Sequence, residues 1–488
     1  VANLAAGKLD AGAGRPGLDG GRGAERDRRR AENLVLITID TLRADEAGAR
    51  NMPRLEGLAA TGVKLSSAFA SAPWTLPSLA SLMTGRSPQS HGAGRPIGPS
   101  PLDRSALDAV VPTLATILNA AGFATRAVVT NPYLGTAYGL AQGFSAYENL
   151  TLESEAAITL APTLGGWALE RLGITRALGD RGAVVTRRAR RFLAQPPGGR
   201  FFLWLHYIDP HAPYAGERRS FRGDLLAAAG ARTPAARGVP RMAELRAGEV
   251  RLPAEGRERL RAAYRAAIAE VDAEIGAVVD ALRDAGLSAT TLLVVTADHG
   301  EEFWDHGGVE HGHSLYDELI HVPLVLACPG LLPAGRVVDT VVGLDRLAAT
   351  ILDLLEVRSP GGEGAAGANG TCGKGIAPGF ADLLGHTLDA GETRPVVSEN
   401  LLFAEERVAL RTARYTYVRW PNGKEEVYDR RRDPRELRDL AARRSLVRAL
   451  ARRLDADREP ASAAPVCALR KSDDERTRRA LQALGYVP

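Results

Sequence analysis

The chain has 488 residues, 45% hydrophobic and 25% charged, with a formal net charge of +4. These are ordinary globular values, enough for one large domain plus a smaller one, or two to three average domains. Arginine is spread along the whole length, so a pI near 9.0 makes no case for nucleic acid. There is no apolar run of about 18 residues and hence no transmembrane helix, while three cysteines without metal spacing (Cys328, Cys372, Cys467) argue against a disulfide framework.

Residues 1–32 are Gly-, Ala- and Arg-rich without periodicity and read as a flexible leader or linker. The compartment stays open: export if a signal lies upstream of Val1, a cytoplasmic protein otherwise. Next comes Asn33-Leu34-Val35-Leu36-Ile37-Thr38-Ile39-Asp40, an apolar run expected to form a buried parallel strand. Open α/β sheets place their sites at the carboxyl ends of strands. Asp40 is therefore either a metal ligand or a carboxylate capping the next turn. Met52 to Gly62 predicts a short helix.

The stretch Ala72-Pro73-Trp74-Thr75-Leu76-Pro77-Ser78-Leu79-Ala80-Ser81-Leu82-Met83-Thr84-Gly85 follows. Proline suits the first turn of a helix and glycine the position just past its end, so a helix is expected from near Pro77 to Gly85. Thr75 then sits just before an N-terminus whose free amides and dipole favour anions. Its hydroxyl either caps the helix or attacks a bound phosphate or sulfate ester. Trp74 is expected to pack beneath this turn, and Ser78 to face inward.

Residues 111–122 predict an amphipathic helix and Phe123 to Thr130 a second strand. Residues 151–197 read as mostly helical, with a solvated Arg-rich face at 187–191. A strong strand, Phe201 to Tyr207, runs into Ile208-Asp209-Pro210-His211-Ala212-Pro213-Tyr214. Residues 215–255 are irregular and too long for a passive connection, which suggests a lid or substrate loop. A helix is expected from about Arg257 to Ala285. Thr291 to Gly300 then repeats the opening pattern, an apolar strand followed by Asp298-His299. Val322 to Leu326 is a further strand, Asp345 to Leu355 a helix, and 358–376 a Gly-rich loop. From about 394 short β segments surround Pro421-Asn422-Gly423, a hairpin signal, so an antiparallel subdomain is expected. Arg-rich helices finish the chain. The organisation reads as 1–32 leader, 33–393 catalytic α/β domain, and 394–488 C-terminal antiparallel sheet and helices.

Five of the nine histidines (His206, His211, His299, His311, His313) fall at strand ends or in the run Glu310-His311-Gly312-His313. Together with Asp40, Asp209 and Asp298 they suit a divalent cation. A cation beside Thr75 would lower its hydroxyl pKa and offset charge on the ester oxygens, and a histidine opposite could protonate the leaving alcohol. Among the other residues, Arg43 contacts substrate or makes a surface ion pair, the His306 and Glu310 neighbourhood shapes the loop, and Cys328 is buried rather than reactive.

Several of these segments closely resemble sulfatases of the alkaline phosphatase superfamily: Ile37-Thr38-Ile39-Asp40-Thr41-Leu42-Arg43-Ala44-Asp45, Pro77-Ser78 with Leu82-Met83-Thr84-Gly85, Asp209-Pro210-His211, and Thr296-Ala297-Asp298-His299-Gly300-Glu301. Val427-Tyr428-Asp429, Asp433-Pro434 and Asp439-Leu440 resemble the C-terminal subdomain of the same family. The resemblance runs from about residue 33 to the end. It implies a mainly parallel central sheet between helices plus a small four-stranded C-terminal sheet carrying a helix. By position it makes Asp40, Asp298 and His299 metal ligands alongside Thr75, which takes the nucleophile's place. It matches His211 to a histidine that helps the leaving group, and puts His313 near where sulfatases often hold the sulfate with a lysine. His206 and Asp209, with His311, fall where a second cation or the substrate would be held, unless they only orient the His211 turn.

The departures from the family pattern shift the expected chemistry. Sulfatases carry Cys or Ser followed by x-Pro-x-Arg, which is matured to formylglycine, whereas this chain has Thr75-Leu76-Pro77-Ser78-Leu79. Threonine cannot yield that aldehyde, and Leu79 replaces the arginine. Thr41 replaces the common second aspartate, and with one oxygen ligand fewer and a histidine nitrogen kept, zinc or manganese is favoured over calcium. Thr75 resembles instead the threonine nucleophile of phosphodiesterases and phosphoethanolamine-type transferases of the superfamily. The leading expectation is a hydrolase or transferase of phosphate esters, on a small-molecule, lipid or glycan substrate, dependent on one or two divalent ions. The alternatives are sulfate ester hydrolysis without formylglycine and a degenerate anion- or glycan-binding protein.

Overall fold

The computed structural model describes residues 30–98, 103–150, 181–212, 214, 242–358, 379–385 and 394–458. Nearly all of the leader, residues 151–180 of the helical stretch expected at 151–197, most of the 215–255 loop, all but the first residue of the Gly-rich 358–376 stretch and the chain after 458 lie outside the described residues.

The apolar runs form strands because both faces of the sheet are covered. In chain order these are β1 (Asn33–Ile39), β2 (Val63–Phe69), β3 (Ala124–Val129), β4 (Ala146–Asn149), β5 (Phe201–Tyr207), β6 (Thr291–Ala297), β7 (Glu302–Phe303), β8 (Val309–Glu310), β9 (His321–Ala327), β10 (Arg336–Val338) and β11 (Val342–Gly343). A nine-stranded sheet has the order β10-β2-β9-β6-β1-β5-β3-β4, with β11 also on β2, while β7 and β8 form a hairpin of their own. Every residue of β1, β5 and β6 is buried. Pairing is parallel except at β9, which runs against both β2 and β6. The reversal has a local cause. After β6 the chain stays at the carboxyl edge through the β7–β8 hairpin, and without a crossover helix it can only re-enter antiparallel.

Register places the site. Thr38 on β1 lies level with His206 on β5 and Thr296 on β6. The Asp40 amide donates to the Tyr207 carbonyl (2.8 Å) and the Asp298 amide to the Ile39 carbonyl (3.3 Å). Three strands therefore end together, and their first polar residues share one edge.

The helices used here are α1 (Pro53–Ala59), α2 (Thr75–Thr84), α3 (Leu114–Ala120), α4 (Arg181–Ala194), α5 (Ala254–Asp284), α6 (Leu347–Leu354) and α7 (Arg444–Asp457). α1, α4 and α5 pack together, and α2, α3 and α6 form a second group. On α5 the Asp272 carboxylate accepts from the amides of Arg54 and Leu55 (2.8 and 2.9 Å), capping α1 from a distance. No helix among the described residues is long and apolar enough to cross a membrane.

The four strands β12 (Val396–Ser398), β13 (Val408–Arg411), β14 (Tyr415–Arg419) and β15 (Glu425–Asp429) make a separate antiparallel sheet. The 421–423 turn pairs Arg419 with Glu425, and Gly423 takes the left-handed φ of 83° that the turn requires. α7 covers this sheet through Val447, Leu450 and Leu454 packed on Leu410, Tyr417 and Val427. β12 also ties back to the main body, where Ser398 Oγ donates to the Ala70 carbonyl (2.7 Å) and the Glu399 amide to that of Ser71 (2.9 Å).

Candidate active site

α2 begins two residues earlier than its proline suggests. Trp74 is the N-cap, in extended conformation and without a side-chain cap bond, and Gly85 closes the helix at φ 68°. Pro77 is tolerated inside the first turn because amides there have no intrahelical acceptor to lose. Thr75 is thus the first helical residue and not a cap, which leaves its hydroxyl free for other partners. The whole helix is buried. Trp74 anchors it from below, donating from Nε1 to the Asn400 carbonyl (2.8 Å) and meeting Tyr133 edge-on. Ser78 faces inward and donates to the Asp298 carbonyl (2.5 Å).

Around Thr75 the strand ends converge. Thr75 Oγ1 lies 3.5 Å from His299 Nε2 and accepts from Asn131 Nδ2 at 3.2 Å. His299 Nε2 is also 3.5 Å from Asp40 Oδ1 and 3.5 Å from Asp298 Oδ2. On the far side of Asp40, His206 Nε2 stands 3.4 Å from Oδ2. Asp298 Oδ1 accepts from the amides of Thr41 (3.2 Å) and His299 (2.8 Å). Thr41 itself has φ 60°, an outlying conformation for a β-branched residue. It is held there by Tyr264, whose hydroxyl donates to the Thr41 carbonyl (2.7 Å) and accepts from the Arg43 amide (3.1 Å).

The histidine tautomers follow from their partners. His299 Nδ1 faces the Gly300 carbonyl at 2.9 Å and His211 Nδ1 that of Ala212 at 2.5 Å. A carbonyl only accepts, so each Nδ1 carries the proton and each Nε2 presents a lone pair. The rings of His299 and His211 both pack on His311, at 4.5 and 4.9 Å, and His311 Nδ1 is 3.3 Å from Glu301 Oε1. Burial pushes all three imidazoles below the usual histidine pKa, most of all His311, which also sits between the other two. The structure thus brings Asp40, Thr75, His206, His211, Asp298, His299 and His311 together. His313 turns to Glu302 (2.7 Å), and Asp209 accepts from the Gly182 amide at the start of α4 (3.3 Å).

Electrostatics asks for a cation here. Burial would raise the Asp40 carboxyl, but the imidazoles of His211, His206 and His299 around it bring it down to about 2. Asp298 goes the other way, raised by burial and then by ionised Asp40 beside it. Two buried carboxylates sharing one site repel unless a proton or cation lies between them. Asp40 Oδ1, Asp298 Oδ2 and His206 Nε2 have no hydrogen-bond partner, and Asp40, His206 and Asp298 offer ligand atoms within 4.8 Å of one another. Ligands around a tetrahedral zinc at about 2.0–2.2 Å stand roughly 3.3–3.5 Å apart, the spacing His299 Nε2 keeps to Asp40, Asp298 and Thr75. The residues present therefore fit a divalent ion.

Asn131, which donates to Thr75 and also to Asp40 Oδ2 (2.6 Å), is absent from the residues expected from sequence. Its signal was available: it is the polar residue at the carboxyl end of an apolar strand, as Asp40 and Asp298 are. Arg43 corrects an expectation. It does make ion pairs, to Asp45 and Asp305, but from a buried position and not a surface one: it is 4% exposed, and its guanidinium also donates to the Glu301 carbonyl. Cys328 is buried as expected, its thiol pushed up to about 11 by burial.

A family model described as Sulfatase matches residues 32–357. In sequence the chain is similar to arylsulfatase K of Bos taurus, 29% identical over 191 residues. That match covers 38% of this chain and spans only 34% of the bovine protein. It is also similar to an arylsulfatase of Clostridium perfringens (strain 13 / Type A), 24% identical over 373 residues, covering 67% of this chain and 76% of that one. The crystal structure of a phosphonate monoester hydrolase of Agrobacterium radiobacter superposes with a TM-score of 0.64 at 21% identity, covering 87% of this chain and 95% of that one. The likeness to that structure bears on the fold alone.

Proposed function

The chain belongs to the sulfatase family, and on that premise we propose that it is a metal-dependent hydrolase or transferase of phosphate esters with Thr75 as nucleophile. The observation that carries this reading is the Thr75 hydroxyl, relieved of any capping role and facing His299 Nε2 and Asn131 Nδ2 at 3.5 and 3.2 Å. Asp40, Asp298 and His299 would hold the cation beside it, and their mixed oxygen and nitrogen donors favour zinc or manganese over calcium. A bound cation there supplies Lewis acidity, lowering the hydroxyl pKa and offsetting charge on the ester oxygens.

The chain's own groups do the rest. Asn131 orients the Thr75 oxygen. That oxygen forms a bond to phosphorus as the bond to the leaving alcohol breaks, and the hydroxyl proton passes to solvent. His211, whose Nδ1 is committed to the Ala212 carbonyl, takes a proton from solvent on Nε2 and passes it to the departing oxygen. Water, or an acceptor alcohol in a transferase, then displaces Thr75 from phosphorus, and Thr75 regains its proton. The substrate class is a small-molecule, lipid or glycan ester.

A second reading, direct hydrolysis of sulfate esters by Thr75, is supported by the arylsulfatase names of the relatives. A panel of aryl phosphate mono- and diesters and aryl sulfates separates the two, with mass spectrometry of quenched protein for a phosphate on Thr75. Turnover of phosphates that is lost in Thr75→Ala, with the adduct trapped, is the expected result. Full turnover in Thr75→Ala would refute the nucleophile, and activity on sulfates only would select the second reading.

A further inference from the structure

We propose that the turn at 400–403, part of the C-terminal subdomain, is a positioning element of the active site, with Asn400 as the residue that sets it. The proposal rests on the reading of Thr75 as nucleophile, because the turn acts on Thr75 through Trp74.

The turn lies between β12 and β13, and its backbone is committed to other parts of the molecule. The Asn400 carbonyl accepts from Trp74 Nε1 at 2.8 Å, and Trp74 is the N-cap directly before Thr75. The amides of Leu402 and Phe403 both donate to the Gly312 carbonyl, at 2.8 and 3.0 Å. Gly312 follows His311, whose ring packs on those of His211 and His299. Contact there is close: a Cβ on Gly312 would stand 3.0 Å from Leu402 Cβ and 3.3 Å from Phe403 Cδ2. One short turn thus joins the residue before the nucleophile to the residue after the central histidine. It sets how those two separate elements sit against each other.

Asn400 fixes the turn. Its φ of 69° lies in the left-handed region, which asparagine enters more readily than most other non-glycine residues. The Glu406 carboxylate accepts from the amides of Asn400 and Leu401, and Asn400 itself is buried. From the other side buried Arg104 donates to the Leu402 carbonyl at 2.6 Å, with its guanidinium over the Trp74 ring. A residue unable to hold that φ would turn the 400 carbonyl away from the indole. The N-cap would then lose the anchor that directs Thr75.

The test compares Asn400→Val, whose β-branch disfavours the left-handed region, with Asn400→Gly, which enters it freely. On whichever aryl ester the parent turns over, Asn400→Val is expected to lower kcat about 10- to 100-fold with KM little changed, as misplacing a reacting group does. Asn400→Gly should keep kcat near the parent value, and Trp74→Phe, which removes the indole donor, should reproduce the loss. Asn400→Val added to Trp74→Phe should then lower kcat no further, since both break one link. Hydrogen exchange at the Trp74 indole, followed by NMR with isotopically labelled tryptophan, reads the link independently of activity. It should be fast in Asn400→Val and slow in the parent and in Asn400→Gly. Unchanged kcat in Asn400→Val, equal losses in the Val and Gly variants, or multiplying losses in the double variant would overturn the proposal. Thr75→Ala, run alongside, keeps the two readings apart: full turnover there removes the nucleophile, whereas the turn fails by its own kcat and exchange pattern. Should Asn400→Val fail to fold, Trp74→Phe decides, a lowered kcat at unchanged KM supporting the role of the turn and a retained kcat refuting it.

Discussion

Asn131 Nδ2 lies 2.6 Å from Asp40 Oδ2, a bond that joins the carboxyl ends of β3 and β1 across the strand between them. The same amide reaches Thr75 at 3.2 Å, so a single side chain sets the spacing between the buried Asp40 carboxylate and the hydroxyl beside it. Removing it should cost alignment rather than the fold. Asn131→Ala is expected to lower kcat about 10- to 100-fold, the equivalent of roughly 1–3 kcal/mol for losing a buried polar partner. Steady-state kinetics beside a melting curve checks this; unchanged kcat would remove Asn131 from the site. Asn131→Asp, which adds a negative charge next to Asp40, should be the more damaging change.

Arg43 gives a stability prediction. Its guanidinium donates to Asp305 at 2.9 Å and to the Glu301 carbonyl at 3.0 Å, tying the segment after β6 to the turn after β1. Against the effect of burial, Arg43 and Arg261 bring the Asp305 carboxyl down to about 2. Arg43→Met should destabilise the protein by about 3 kcal/mol, since breaking a buried pair strands the remaining charge. Urea unfolding measures it. A loss below about 1 kcal/mol would mean that Arg261 alone suffices for Asp305.

Chelation should act on stability as well as on turnover. Stripping the cation leaves Asp40 and Asp298 buried side by side, and at free metal about 100-fold above Kd the linkage is worth about 2.7 kcal/mol. The melting temperature of the parent protein is expected to fall in chelator and recover with Zn²⁺ or Mn²⁺. Asp298→Asn should melt at the same temperature with or without added metal. A parent protein indifferent to chelator would contradict the metal reading.

His306 predicts a pH dependence away from the site. Burial lowers its pKa, but Glu318, 2.7 Å from Nδ1, and the Glu436 carbonyl raise it to about 9. The folded value lies above the ordinary 6.5, so the folded state binds the proton more tightly than the unfolded state. The stabilisation is complete below pH 6.5 and is lost as pH rises through about 9. Thermal melts from pH 6 to 10 should show a smaller decline for His306→Gln than for the parent. Parallel curves would show that the pair contributes nothing to stability.

Much of this was written locally. The strands were legible because a sheet covered on both faces demands continuous apolar runs, and Asp40 and Asp298 were legible because each is the first polar residue after such a run. Asn131 marks its strand end in the same way, but an amide there carries no chemical signature until it is seen between Asp40 and Thr75. The start of α2 was misjudged by two residues because proline is tolerated anywhere in a first turn. Arg43 looked like a surface residue because nothing near it in sequence announces that Asp305 and the Glu301 carbonyl, some 260 positions away, enclose it.

The sequence by itself determined the α/β architecture, the C-terminal antiparallel sheet, and the residue types at the strand ends, since these depend on hydrophobic pattern and turn chemistry over a few neighbours. Only the tertiary structure decided which of those residues meet. The register of β1 against β5 and β6 brings Asp40, His206 and Asp298 to one edge, the reversal of β9 keeps the histidine-rich segment at that edge, and the anchoring of Trp74 to Asn400 aims Thr75 at His299. Such contacts join residues hundreds of positions apart, and the physical reason they escape a linear reading is that pairing register and burial are properties of the packed sheet, not of any one stretch within it.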